Sequence, residues 1–321
     1  MVQTLTDVDP SNEVVEGFGP LLNAFNVLQL LGLIGSVLCL ISARFSSVPR
    51  QAPWWSFMFS WVVFCTSYLL LFFAGQAYDS EPDLPLCVLQ SSLTYAVSPL
   101  ACATALGLVI QLWFNVKKTL SGQTIRGERY WRIVLLIMPY VIFIALILES
   151  TVISLTIPDA KFSSVSYCSL ETHTHAPGQV TSALVVILAI SIVVLNITIA
   201  LHFRKHWSML RSGNFASMFA RVSAFTLFGL VAVIIAVLFF TSAGSSHGSD
   251  TALLELDIIL AIIPVAAVLI FGSHKDLLEV WMFWRKRNKK FPFTSTHREE
   301  PPPLVPATEL HVEYVIDIEH T

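Results

Sequence analysis

Three carboxylates stand inside long apolar runs of this 321-residue chain: Glu149, Glu255 and Asp257. An ionisable side chain at membrane depth is expensive and usually functional, because hydrocarbon cannot hydrate it. Gln90, Thr94 and Tyr95 stand near the start of another apolar run. Together these six residues compose a candidate ligand pocket, one suited to a cationic or hydrogen-bonding ligand. Glu255 and Asp257 are two positions apart, so on a helix they cannot face the same way. A second reading suits the pair as well: acids in the first turns of a helix favour its dipole. Glu149 serves either a ligand or a plain interhelical hydrogen bond.

Other chemistry finds less footing. His173 with His175, and His202 with His206, lack an evident third metal ligand. No nucleophile stands at a telling spacing from a base, so neither catalysis nor a metal or other cofactor is expected. A retinal Schiff base needs a membrane lysine, and the last apolar run has none before Lys275. Asn196-Ile-Thr198 matches a glycosylation signal but sits within an apolar run. Nothing points to nucleic acid.

The elements that must position these residues are membrane spans. The chain is 55% apolar and only 13% charged, against about 25% charged in soluble domains. A helix crosses a hydrocarbon core of about 30 Å with roughly 20 mostly apolar residues. Seven stretches qualify: Leu21–Ile41, Trp54–Phe73, Val88–Phe114, Ile133–Ile157, Val180–Leu201, Phe219–Phe240 and Leu253–Phe271. The third carries Gln90, Ser91, Ser92, Thr94 and Ser98, polar groups that a lipid-facing helix could not hide. It is expected at the centre of the bundle. The expected fold class is an all-α membrane protein: a seven-transmembrane helix bundle with a short amphipathic eighth helix.

The basic residues orient the bundle. With the N-terminus outside, 18 of the 19 Lys and Arg fall in cytoplasmic segments, and Lys161 alone lies outside. Positive charge is retained on the cytoplasmic side during insertion. The expected layout is an extracellular tail over 1–19, the bundle over 20–272, a cytoplasmic amphipathic helix over 273–290 and a disordered tail over 291–321. No signal peptide is visible, so the first span is expected to direct insertion. In the amphipathic helix, Leu277, Trp281 and Trp284 recur on one face while cations crowd the end, which suits contact with anionic membrane lipid. The external segments are short, so an extracellular ligand would be bound by the bundle and its loops.

This orientation sorts the cysteines. Cys39, Cys65 and Cys102 lie in apolar runs, where a free thiol acts as a small hydrophobe. Cys87 and Cys168 are the two on the oxidising side, so they are expected to form a disulfide that ties the second outer loop over the mouth of the bundle. Pro99, Pro139 and Pro264 fall within spans and are expected to kink them.

Seven spans, an external N-terminus, the Cys87 and Cys168 placement, Pro264 and the interfacial eighth helix together resemble a G-protein-coupled receptor. The resemblance covers about residues 20–290 and is architectural. The third span ends Leu112-Trp113-Phe114-Asn115-Val116-Lys117-Lys118, without the family's Asp/Glu-Arg-Tyr, and no Asn-Pro-x-x-Tyr surrounds Pro264. The segments Cys87-Val-Leu-Gln90 and Phe271-Gly-Ser-His-Lys275 resemble receptor-like proteins of mushroom-forming (basidiomycete) fungi. The resemblance implies a plasma-membrane receptor for a small-molecule or peptide ligand, signalling to a heterotrimeric G protein. Lys117, Lys118, Arg126, Arg204, Lys205 and Arg211 would then contact the cytoplasmic partner. The alternative is a transporter or channel-like bundle moving a polar or cationic solute. It requires a polar path through the bilayer, for which the inner halves offer little beyond Asn115, Asn196 and Thr198.

Overall fold

Long apolar runs without hydration for their backbone groups must close every hydrogen bond internally, and the α-helix does this within one segment. The computed structural model describes residues 10–46, 50–77, 82–121, 127–156, 161–164, 167–171, 176–206, 215–243 and 250–273. Among these the helices are α1 (Pro10–Phe45), α2 (Ala52–Tyr68), α3 (Leu70–Ala74), α4 (Leu84–Ser121), α5 (Glu128–Thr156), α6 (Ala176–Lys205), α7 (Phe215–Ala243) and α8 (Asp250–Gly272). Between α5 and α6 lie two strands, β1 (Lys161–Ser164) and β2 (Cys168–Glu171).

Five helical stretches are long and apolar enough to cross a membrane: Gly19–Phe45, Leu84–Ser121, Tyr130–Thr156, Gly178–Lys205 and Ala216–Ile235. That is a multi-pass membrane architecture. Leu256–Gly272 is a shorter apolar helix of the same character.

The structure changes three expectations. First, α1 is already helical at Pro10, so the tail read over 1–19 is in part the first helix. Second, the run Trp54–Phe73 is broken at Leu69 into α2 and α3. The break is followed by a closed turn: Gly75 adopts φ 75°, its N–H donates to the Phe72 carbonyl, and the Gln76 N–H donates to the Leu71 carbonyl. Only glycine takes that left-handed conformation without penalty. Third, the α5–α6 loop carries a hairpin, its register pairing Lys161 with Glu171 and Ser164 with Cys168. An all-helical reading had no strand there. The amphipathic helix expected over 273–290 lies outside the described residues beyond Ser273, as do 1–9 and the tail 291–321.

Helix α4 is the hub. It packs on α2, α5, α6 and β2, and α1 packs on α2 and α8. This central position accounts for its polar residues, since Gln90, Ser91, Ser92, Thr94, Thr104 and Gln111 are all buried. Helices α5, α6 and α7 instead turn large apolar side chains outward, among them Ile144, Leu148, Ile190, Val194 and Leu227. Short hydroxyl and amide pairs stitch the helices together, two of them through the hub. Ser60 meets Thr104 at 2.9 Å and Thr151 donates to Ser92 at 3.1 Å. Ser56 meets Tyr140 at 3.0 Å, and Asn196 donates to Thr226 at 3.1 Å. Such bonds within a bilayer contribute about 0.6 to 2 kcal/mol each.

Candidate functional site

At one end of the bundle, the hairpin end, a disulfide joins Cys87 in the first turn of α4 to Cys168 on β2, with Cα atoms 5.1 Å apart. One buried glutamine completes the joint. Gln90 Oε1 accepts the Cys168 backbone N–H at 2.9 Å. Its Nε2 donates to the carbonyls of Ser67 and Tyr68, at 3.3 and 3.1 Å. Those carbonyls close α2 just before the break, where a helix has no intrahelical donors to give them. Gln90 therefore links α2, α4 and the hairpin. Both ends of its amide are engaged with the backbone, which leaves little of it for a ligand.

Replacing Gln90 with leucine is expected to lower stability by about 2 kcal/mol, because it strands a buried N–H and two carbonyls. Thermal unfolding in detergent micelles measures this. An unchanged midpoint would return Gln90 to the list of ligand contacts.

Of the remaining expected pocket residues, Tyr95 and Asp257 lie near the Tyr68 and Tyr167 phenols, whereas Thr94 and Glu149 are engaged elsewhere. Thr94 is buried, and its hydroxyl donates back to the Ser91 carbonyl at 2.9 Å. The Tyr95 carbonyl accepts from Thr181 at 3.1 Å. Glu149 is half-buried on α5 beside outward-facing Leu148 and Val152. Glu255 lies on α8, with its side chain outside the described set. Asp257 is two turns inside α8, which starts at Asp250, so it is no first-turn cap. Its carboxylate instead accepts the Tyr167 hydroxyl at 3.3 Å.

Tyr167, overlooked in the sequence, is the second element of this end. The hairpin places it against Tyr68 and Phe25, with ring centroids 4.9 and 6.4 Å apart, and Tyr68 in turn meets Phe64 at 4.9 Å. Four aromatic rings and a carboxylate thus plug the bundle beneath the hairpin. Burial, with the neighbouring Asp257 carboxylate, holds the Tyr167 phenol well above its ordinary range. The native phenol therefore stays protonated after the unfolded one ionises near pH 10. The associated stability is present below about pH 10 and is lost as pH rises toward the native value. A Tyr167→Phe variant is expected to lose that alkaline dependence, read as unfolding midpoints between pH 8 and pH 11.

Below the plug lies a cavity of about 220 Å³. Its wall comes from α2, α4, α6, α7 and α8, including Phe57, Trp61, Ala105, Ile192, Phe225 and Ile263. Among the described side chains, none of the expected ligand residues lines it. The indole N–H of Trp61, a wall residue, is buried without a partner.

The opposite end carries the basic residues. Lys117, Lys118, Arg204 and Lys205 are exposed at the ends of α4 and α6, while Arg126 and Arg211 lie outside the described residues. The Lys117 ammonium sits 4.9 Å over the Trp113 ring. Arg221 donates to the carbonyls of Ile270 and Ser273 at 3.2 and 3.3 Å. It thus fastens α7 to the C-terminus of α8, where a cation complements the helix dipole. No family model matches this sequence, and no curated protein matches it either.

Proposed function

We propose that this chain is a seven-span cell-surface receptor that binds a small ligand inside its helical bundle and signals to a heterotrimeric G protein. In this reading α2 with α3, and α8, span the bilayer beside the five longer stretches. The observation that carries it is the apolar cavity among five helices, beneath a hairpin tethered by Cys87–Cys168. A ligand bound there could shift the population between helix arrangements. Every described Lys and Arg except Lys161 stands away from the hairpin end. That partition supports a cytoplasmic far end and an external hairpin, in the plasma membrane. Lys117, Lys118, Arg204 and Lys205 would face the G protein. The apolar middle of the bundle argues against a polar conduction path.

The test is ligand-dependent nucleotide exchange on a co-expressed G protein. Reversing charge at Arg204 and Lys205 together should abolish most of the exchange. Silence across a broad ligand panel, with the charge reversal also without effect, would sink the receptor reading.

A further inference from the structure

The cavity's chemistry and its exits identify the class of molecule it takes. Its few polar side chains bond within the protein. Thr226 donates to the Val222 carbonyl at 2.8 Å and accepts from Asn196 at 3.1 Å. Ser98 lies beside the Tyr68 phenol. The rest of the wall is aliphatic and aromatic, apart from the Cys102 thiol and the enclosed indole of Trp61. At about 220 Å³ the space exceeds the roughly 150 Å³ apolar cavity that stays dry and binds benzene. Water would gain few hydrogen bonds here, so an apolar occupant is favoured.

The exits point the same way. Toward the hairpin, the Tyr167, Tyr68, Phe25 and Phe64 rings close the bundle. Toward the far end, α6 and α7 are zipped together. Phe203 stacks on Phe219 at 4.7 Å, and Asn196 meets both Ser223 and Thr226. Past Thr226 toward the hairpin, no hydrogen bond or ring contact joins the two helices among the described residues. Gly229 begins that stretch, and a Cβ placed on it would touch nothing within 4 Å. Leu230 and Val233 line the cavity and are nonetheless 39% and 42% exposed on the side of the bundle. The cavity therefore opens sideways between α6 and α7, through a surface that is apolar on both helices.

We propose that this cavity binds a compact, uncharged, hydrocarbon-like ligand that enters from the bilayer through the α6–α7 gap. The idea deepens the receptor reading, and rests on it only for what binding would cause. Binding itself is read without any cytoplasmic partner.

The experiment uses the full chain in phospholipid nanodiscs, with tetralin as probe and the same ring system bearing a sulfonate as its water-confined counterpart. At a hundred times its dissociation constant, tetralin should raise the unfolding midpoint by about 5 °C. The sulfonate should give no shift. Ala189→Phe fills the cavity from α6, and Ala105→Leu fills it more gently from α4; each should lose the tetralin shift. Either variant suffices if the other fails to fold. Equal tetralin shifts in wild type and filled variants would mean bilayer partition only and would overturn the proposal. So would a sulfonate shift that matches tetralin. Solvent extraction of the purified protein distinguishes the sources. A phospholipid retained by wild type and lost from Ala105→Leu makes the occupant a lipid chain, and a non-phospholipid makes it a separate ligand. The second outcome supports the proposal, and the first, an extended molecule with a charged headgroup, overturns it. Tetralin binding, together with silence across the ligand panel and no effect of the Arg204 and Lys205 charge reversal, would leave the site standing and remove the receptor reading alone.

Discussion

Replacing Cys87 and Cys168 together with serine is expected to lower stability by about 4 kcal/mol. The bond closes a loop of 81 residues. Chain entropy assigns a loop of that length a stabilisation of about 4 kcal/mol. Two features of this protein move the value in opposite directions. The loop contains α4 and α5, which remain inserted when their packing is lost, so the open state is less free than a random chain. Against that, the bond also holds the hairpin in place. Without it, the Gln90 bond to the Cys168 N–H and the Tyr167 bond to Asp257 lose their anchor. Unfolding of the purified protein, with and without dithiothreitol, measures the effect. Reduced wild type and the double variant should unfold together, well below oxidised wild type. A double variant within about 0.5 kcal/mol of wild type would mean that the hairpin is held by its other contacts.

The disulfide was legible because it followed from charge. Assigning the basic residues to one side left only Cys87 and Cys168 on the oxidising side. The helices were legible for a related reason: apolar runs mark them, five of them as stretches long enough to cross a membrane, and the polar third run predicted its own central position. The break at Leu69 was hidden, because apolar residues flank it on both sides and no proline marks it. Gly75-Gln76 was the available cue, a glycine stop placed beyond it. The hairpin was also missed, although Cys168-Ser-Leu-Glu171 alternates apolar and polar residues.

The site was the least legible part, for an energetic reason. Polar residues within apolar runs suggest ligand contacts when read from sequence alone. In a bundle they must first satisfy backbone and neighbour, as Gln90 and Thr94 do. The cavity wall consists of residues indistinguishable in sequence from any apolar core. What separates Trp61 or Gly229 from Phe25 or Gly107 is only the space beside it, and space has no sequence signature.

That same contrast among glycines supplies the second large effect. Exchanging Gly32 for valine is expected to destabilise the protein by about 3 kcal/mol, at the upper end of overpacking costs. Helix α1 lies so close to α8 that a Cβ on Gly32 would stand 2.7 Å from the Pro264 Cβ and 3.1 Å from the Cys65 Sγ. The proline ring cannot rotate aside, so the helices must part. At Gly35 the obstacle is Val268, whose Cγ1 would be 2.7 Å away, and a valine in a helix has little χ1 freedom to yield. Gly272 repeats the motif against the Cys39 sulfur at 2.9 Å. Small residues in membrane bundles allow such approach and the packing it brings. Alanine separates the close contact from helix propensity, which alone favours alanine over glycine by about 1 kcal/mol. At Gly229, where no atom lies within 4 Å, that term is unopposed and Gly229→Ala should be neutral or stabilising. At Gly32 the contact exceeds it, so Gly32→Ala should still destabilise. Opposite signs for the same substitution in two helix interiors, read as unfolding midpoints, would locate the α1–α8 contact as a site of close packing. A stabilised Gly32→Ala would mean that α1 can shift on α8 at little cost.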